Sequence, residues 1–502
     1  MKRTLMAAVD CGTTAIKAAV VDRSGRFAGL ATRPCPVRKL DGHVENDAPA
    51  VVAAAESCLR EALRQSNADP AEVVGLAVAT QRATVVACDG RGRALGPAIS
   101  WQDMCGTRQI ERLRQQVPDR RYGQITGLPN NPVFTLGKLL WLKEQRPALF
   151  RRAERFALLH DFVMRQLGCD DFYCDWSNAS LTGMFDIRSR QWSDTVLAAG
   201  GVPRAKLSQL VAPGQLIGRL SAAAARRTGL LTGTPLVAGG GDQQCAGIGA
   251  GAVHPGVVEI TVGTAAVPLS SVARVTVDPR MRVTCGVHAA PGLWEVEGLQ
   301  NTAGAALGWA ASVIGVGPTF SPAFLRAAAR VAPGANGVLF CPHLAGASAP
   351  RWNPLASGMF LGLRAGHTRS DLVRAVMEGV SLETRGILEC FASLGVKARE
   401  VRLTGGCTSI AVWNQIQADI FGKAVSTLAT PHATTLGAAI LAACGTGVFA
   451  SVPEAVRSMV QIRGTYLPSP GAAEAYDRLY ARYGRVREGL EKGRVFGAVA
   501  DW

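Results

Sequence analysis

The 502 residues are 48% hydrophobic, 18% charged and 6% aromatic, with 56 Gly and 26 Pro in no collagen-like period. That excludes one small domain, global disorder and a low-complexity chain, and predicts two or three compact domains with sizeable cores. The 54 basic and 38 acidic residues give a net charge of +16, open to nucleic acid, a membrane surface or an anionic substrate.

In chain order, Leu5 to Val9 reads as an apolar strand, followed by the turn Cys11-Gly12-Thr13-Thr14 and a second β-rich run, Ile16 to Val21. Asp22-Arg23-Ser24-Gly25 turns into a third strand, so the chain opens as a meander of hairpins. A helix is predicted over 50–64, a strand from Val73 to Ala79, and helices over 134–170 and 221–227. Leu236 to Gly241 begins as a short strand and ends in three glycines. Val257 to Val262 is again a strand, leading through Gly263-Thr264-Ala265 into another β-run.

The stretch Asp-Cys-Gly-Thr-Thr-Ala at 10–15 parallels Thr-Val-Gly-Thr-Ala-Ala at 261–266. A strand-turn-strand element in each half reads as an internal duplication dividing the chain near residue 246, into 1–246 and 247–502. Helices follow over 364–395 and 410–422, with a short strand from Val401 to Thr404 entering Gly405-Gly406. The tail, 469–494, is a charged amphipathic closing helix. The fold class is α/β, with two lobes and a cleft between them.

The arginines are spread along the chain. Arg112 to Arg121 read as a solvated helix face and a turn, and no DNA- or RNA-binding pattern occurs, so nucleic acid is not an expected partner. The 13 Cys show no CxxC; Cys245, Cys341 and Cys444 sit in apolar runs, as small core residues of a reducing compartment do. Asp10 and Lys17 interrupt any signal-peptide core, and no run of about eighteen apolar residues could span a membrane. A cytoplasmic protein is expected.

Four motifs carry chemistry. In Asp10-Cys-Gly-Thr-Thr-Ala-Ile-Lys17, Gly12 admits close backbone approach, the turn's amides can form an anion nest, and Thr13 and Thr14 add hydroxyls. Asp10 at the strand end can hold Mg²⁺ through water. The bland alternative is an ordinary glycine turn. In Gly239-Gly-Gly-Asp242-Gln243, three glycines open space around a carboxylate that can accept a hydroxyl proton during phosphoryl transfer. Asp242 could equally be a helix N-cap, and the two roles are compatible. Gly263-Thr264-Ala265 is a second phosphate-type turn, or a plain hairpin. Gly405-Gly-Cys-Thr-Ser409, with Trp413, Gln415 and Asp419, could lie under a nucleotide or simply pack a strand against a helix.

Together with Trp101-x-Asp103, Pro342-His-Leu-Ala-Gly346 followed by Pro350, Trp352 and Pro354, and Gly437-Ala-Ala439, these motifs resemble, in order over roughly residues 4 to 447, the FGGY carbohydrate kinases. That family includes xylulokinases and glycerol kinases. The resemblance implies two actin/hexokinase-like (ribonuclease H-like) lobes: 1–246 binding the sugar and 247–502 binding ATP, with ATP and Mg²⁺ as cofactors. It makes Asp242 the general base, and Asp10 and Asp242 the metal-side carboxylates. Gly12, Thr13, Thr14 and Lys17, and from the other lobe Gly263 and Thr264, would embrace the phosphates. Gly304, Gly405, Gly406 and Ser409 would line the nucleotide pocket. A small sugar or polyol is the expected partner, and a homodimer the assembly implied by analogy.

The acceptor pocket would draw on Gln81, Arg82, Trp101, Asp103, Asp242 and Gln243. Trp101 can cover a sugar's C–H face, or anchor a core; Asp103 and Gln81 can take hydroxyl pairs, and Arg82 can donate several bonds. Gln81-Arg82 and Gln243 look like glycerol kinase rather than the Met-His and Asn of xylulokinases. Yet Ala83 stands where glycerol kinases carry Glu, and Ile125 to Lys143 looks closer to the xylulokinase branch. Cys105 replaces an Arg common among the family's sugar kinases, and Cys407 the third glycine of the C-terminal signature. A ketopentose such as xylulose is expected, with glycerol or another polyol as the alternative. Two readings of other classes are a non-catalytic ATP clamp of the actin or chaperone kind and a regulator that binds nucleic acid by charge alone.

Overall fold

The computed structural model describes residues 3–40, 42–314 and 320–500. They form two compact units. The first runs up to Val253 and adds Ser271–Glu295 and His432–Gln461; the second comprises His254–Ser270, Val296–Pro431 and the chain from Ile462 on. The first unit thus takes in residues from both sides of position 246.

The first unit is built on a six-stranded sheet ordered Leu216–Arg219, Pro235–Gly241, Val73–Thr80, Leu5–Cys11, Ala15–Asp22 and Phe27–Pro34. Leu5–Cys11 is antiparallel to Ala15–Asp22 and parallel to Val73–Thr80, which is parallel to Pro235–Gly241. Both faces are covered, so the strands read as near-continuous apolar runs rather than as alternation. Along the first strand Leu5, Ala7, Val9 and Cys11 join one core and Met6 and Ala8 the other. Helix Ala48–Ser66 belongs to the first core. It starts where Asp47 accepts the Ala50 N–H and stops at Asn67, whose φ of 48° is left-handed.

Helix Ala433–Gly445 lies in the second core, against Asp242–Gly249. A Cβ on Gly249 would stand 1.9 Å from the Ala433 carbonyl oxygen, and one on Gly437 would stand 1.8 Å from that of Cys245. Only glycine permits that backbone-to-backbone crossing, which draws 432–461 into the first unit. The expected helices over 134–170 are interrupted by a strand, Arg155–Leu158, pairing with Val85–Cys88; its Phe-Ala-Leu run is too short for periodicity to separate strand from helix.

The second unit repeats the plan. Val257–Val262 is antiparallel to Ala266–Val272 and parallel to Glu400–Thr404, itself parallel to Ala424–Leu428, which pairs antiparallel with Ile462–Tyr466. Arg369–Ser393 and Ala411–Phe421 are its main helices, with Ala472–Lys492 closing the chain. Among the described residues no helix is long and apolar enough to cross a membrane. Cys245 and Cys341 are buried as expected, while Cys444 is half-buried.

Candidate active site

Pro235–Gly241 is a strand through all three glycines, and Asp242 is the first residue of the helix that follows. The N-cap position is held by Gly241 rather than by Asp242. The Asp242 carboxylate accepts the N–H of Gln243 at 2.9 Å and keeps 34% of its side chain exposed. Arg82 Nε lies 3.9 Å from its Oδ1. A Cβ on Gly241 would meet Arg82 Cδ at 2.4 Å, so the glycine makes room for the arginine beside the carboxylate.

Asp10 ends the first strand and faces Lys17 across the ladder, Nζ to Oδ2 at 3.7 Å. Burial pushes the Asp10 carboxyl up to about 6; Lys17 pulls it down and the charge of Asp242 pushes it up again. Asp10 and Asp242 lie close enough for the charge of one to act on the other, and both are oxygen donors of the kind a hard divalent cation takes, while among the described residues no group of three or more His, Cys, Asp or Glu could hold a metal ion. Between Asp10 and Lys17 the turn closes through Gly12 N–H to the Ala15 carbonyl at 3.1 Å, and Thr14 stands exposed.

The expected acceptor residues gather around this turn. Trp101 Nε1 donates to Thr13 Oγ1 at 2.9 Å, and that hydroxyl lies 3.5 Å from Gln81 Oε1. The Gln81 N–H donates to the Cys11 carbonyl, while its side-chain Nε2 is buried with no hydrogen-bond partner. Ala83 is buried with φ 59°, a left-handed backbone unusual for a residue with a Cβ. Asp103 is placed differently from the rest. It is 1% exposed and accepts from the N–H of Val44 and Cys105, both at 2.8 Å, and from His43 Nδ1 at 3.1 Å. Burial raises its pKa, but these bonds hold the carboxyl below its usual range. Asp103 thus ties the His43–Asn46 strand to the loop carrying Trp101.

In the second unit Gly263 N–H closes its turn on the Ala265 carbonyl at 2.9 Å, leaving Thr264 exposed. The carbonyls of Gly263 and Thr264 accept from Gly304 and Ala303 at 2.8 Å, fastening the turn to the start of helix Gly304–Val313. A Cβ on Gly304 would stand 2.4 Å from the Gly263 oxygen and 2.6 Å from Cys407 Sγ. Gly405, at φ 85°, passes just as close to Val262; Gly406 has open space above it, and exposed Ser409 donates to its carbonyl. Trp413 and Asp419 do not join this surface. Trp413 is a core anchor donating to Met377 and Ser381, and Gln415 joins Asp419 to the chain at Leu467 and Ser469.

Sequence reading passes over Asp175-Trp-Ser-Asn178, where Ser177 Oγ accepts the Gly241 N–H at 2.9 Å. An Asp followed by Ser and Asn at a helix start is a local capping signal, but nothing in the spacing tells that the serine reaches residue 241.

Residues 5–249 match the N-terminal domain of the FGGY family of carbohydrate kinases and residues 259–446 its C-terminal domain. The chain is 28% identical over 483 residues to xylulose kinase of Bacillus subtilis, covering 95% of each chain. It is 32% identical over 514 residues to glycerol kinase of Bordetella parapertussis, covering 98% of each. Among solved structures, xylulose kinase from Rhodospirillum rubrum matches with a TM-score of 0.89 at 27% identity, over 98% of this chain and 100% of that one. The fold is the two-domain α/β architecture of the actin and hexokinase kind. The chain belongs to the FGGY family of carbohydrate kinases, and it is an ATP-dependent sugar kinase.

Proposed function

We propose that the enzyme phosphorylates a hydroxyl of a ketopentose such as xylulose, with Asp242 as the general base. The observation that carries this reading is the setting of Asp242: a helix-starting carboxylate, one-third exposed, with the Arg82 guanidinium and the Asp10 carboxyl beside it. Asp242 takes the proton as the sugar oxygen attacks the γ-phosphorus in line. Arg82 places a positive charge beside the base, its Nε 3.9 Å from the carboxylate. Asp10 and Asp242 would hold Mg²⁺, which supplies charge neutralisation at the transferring phosphoryl. Gly12 lets the phosphates approach the turn closely, the Thr13 and Thr14 amides and the Thr14 hydroxyl bind phosphate oxygens, and Lys17 adds positive charge. In the second unit Gly263 and Thr264 act alike, and Gly304, Gly405, Gly406 and Ser409 take the nucleotide. Assembly as a homodimer follows the family resemblance.

A ketose is favoured because the pocket is rich in donors. The buried Gln81 Nε2 lacks an acceptor, and Arg82 donates only. Ala83 supplies no carboxylate to accept glycerol's hydroxyl protons. A substrate carbonyl, which only accepts, answers that set; Gln243 and Trp101 complete the pocket. The second reading, a glycerol or other polyol kinase, rests on Gln81-Arg82 and Gln243. A coupled ADP-release screen over xylulose, ribulose, glycerol, erythritol and other pentoses and polyols, in both enantiomers, separates them. The expected result is a ketopentose leading glycerol in kcat/KM by about 10²-fold or more, because sites built to pair hydroxyls discriminate strongly. Glycerol as the best acceptor would install the second reading. ATP binding or hydrolysis with no acceptor phosphorylated would overturn both.

A further inference from the structure

The strand that delivers Asp242 is irregular just before its end. Pro235–Gly241 runs parallel to Val73–Thr80, pairing Val237 with Ala77 and Gly240 with Ala79, so Ala238 and Gly239 together oppose Val78. A Cβ on Gly239 would stand 2.0 Å from the Val78 carbonyl oxygen. A bulge of this kind bends a strand and re-aims the residue that follows, but it also loosens the ladder that would fix that residue.

The peptide beyond the bulge is held from outside the sheet. The Gly241 N–H donates to Ser177 Oγ at 2.9 Å, and that hydroxyl donates to Asp175 Oδ1 at 2.5 Å. Asp175 is fixed in turn. It accepts the N–H of Ser177 at 2.9 Å, the N–H of Asn178 at 3.1 Å and Asn178 Nδ2 at 2.6 Å. Asp175, Ser177 and Asn178 are all fully buried. A Cβ on Gly240 would press to 3.0 Å from Ser177 Oγ, so the glycine strand and the serine are fitted to each other. Asp175 caps the short helix Trp176–Ser180 through the two amides alone. The serine hydroxyl is not needed for that cap, and its acceptance of the Gly241 N–H serves the neighbouring strand. With its proton committed to Asp175, the hydroxyl faces the Gly241 N–H as an acceptor only.

We propose that Ser177, oriented by Asp175, is a positioning residue for phosphoryl transfer: it clamps the Gly240–Gly241 peptide at the exit of the bulge and so aims the Asp242 carboxylate. The inference rests on the reading of Asp242 as general base. It makes Ser177 a residue that acts through another and touches neither sugar nor nucleotide.

The test uses the full-length enzyme and the variants Ser177→Ala, Ser177→Cys, Ser177→Thr and Asp242→Asn, with the double variant Ser177→Ala/Asp242→Asn. For each, kcat, KM for ATP and for the best acceptor, and Tm are measured. Ångström-scale misplacement of a reacting group costs up to about 10²-fold. Ser177→Ala is therefore expected to lower kcat about 10-fold or more, with both KM values within about threefold of wild type. Ser177→Cys, nearly isosteric but a poor acceptor, should follow it even if the alanine variant does not fold. Ser177→Thr should recover most of the turnover. The double variant should be no slower than Asp242→Asn alone, because positioning a group that is already lost costs nothing further. Wild-type kcat in Ser177→Ala or Ser177→Cys overturns the proposal. So does a loss in which Tm and both KM values worsen together with kcat, or a double variant whose losses multiply. If Asp242→Asn itself turns over near normally, the general-base reading falls and the positioning role with it. A slow Asp242→Asn beside an unimpaired Ser177→Ala removes the positioning role alone.

Discussion

At the turn around Gly12, the residues facing each other across the ladder are Asp10 and Lys17; at the turn around Gly263, they are Thr261 and Val267. Both hairpins leave a threonine exposed at the bend, Thr14 in one and Thr264 in the other, and both have a parallel strand beside their first strand. They differ in what fastens them. The first turn is held partly by side chains, with Trp101 on Thr13. The second is held by backbone, its carbonyls receiving the first amides of helix Gly304–Val313. The two hairpins share one plan, and the charges gather at the first. In the other, Thr261 and Thr404 donate to the buried Glu259, so that carboxylate is engaged beneath the turn.

The comparison breaks most sharply at Asp10. Asp10→Asn should fold but lose roughly 10–10²-fold in turnover, with its Mg²⁺ requirement moved to higher concentration; kinetics across a Mg²⁺ titration read both. In the backbone-held copy, an added methyl should do what a lost charge does in the first. Gly304→Ala is expected to raise KM for ATP about 10-fold while leaving KM for the sugar unchanged, at a stability cost of about 1–3 kcal/mol for overpacking. Asp103→Ala should raise KM for the sugar several-fold and spare KM for ATP. It removes the acceptor of the half-buried Val44 and Cys105 amides, so Tm should fall as well. The smallest effect concerns Lys138, also in the first unit. It is buried, with Nζ donating to the Val133 carbonyl at 2.7 Å. Burial lowers its pKa from 10.5 to about 8, against the opposing charges of Cys105 and Asp103. The folded state therefore binds fewer protons than the unfolded one between those values, and stability gains as pH rises through that window. Denaturation of wild type and Lys138→Met at pH 7.5 and pH 10 should show the difference moving in favour of wild type by about 1–3 kcal/mol.

Much of this was readable in the sequence, and for local reasons. The hairpin strands follow apolar runs bounded by glycine turns, and the glycine triplet marks Asp242 because three residues without Cβ must serve close approach. The returns of 271–295 and 432–461 to the first unit were not readable. They depend on contacts far apart in sequence, such as Gly437 against Cys245, which leave no periodic trace. The place of Asp103 beside Trp101 is legible in the sequence, but its hydrogen-bond partners Val44 and His43 lie some sixty residues away and are not. Ser177 escaped for the same reason, its partner Gly241 lying 64 residues on. Periodicity and turn chemistry expose what the chain does locally; a hydrogen bond that joins distant segments needs the fold to be seen.

The central claim, that Asp242 removes the acceptor proton, is tested most directly by single-turnover phosphorylation with Asp242→Asn, alongside calorimetric titration of ATP and sugar. The variant should fold, bind both substrates within about threefold of wild type and transfer phosphate at least about 10²-fold more slowly. Transfer at a near-normal rate, with binding intact, would contradict the claim.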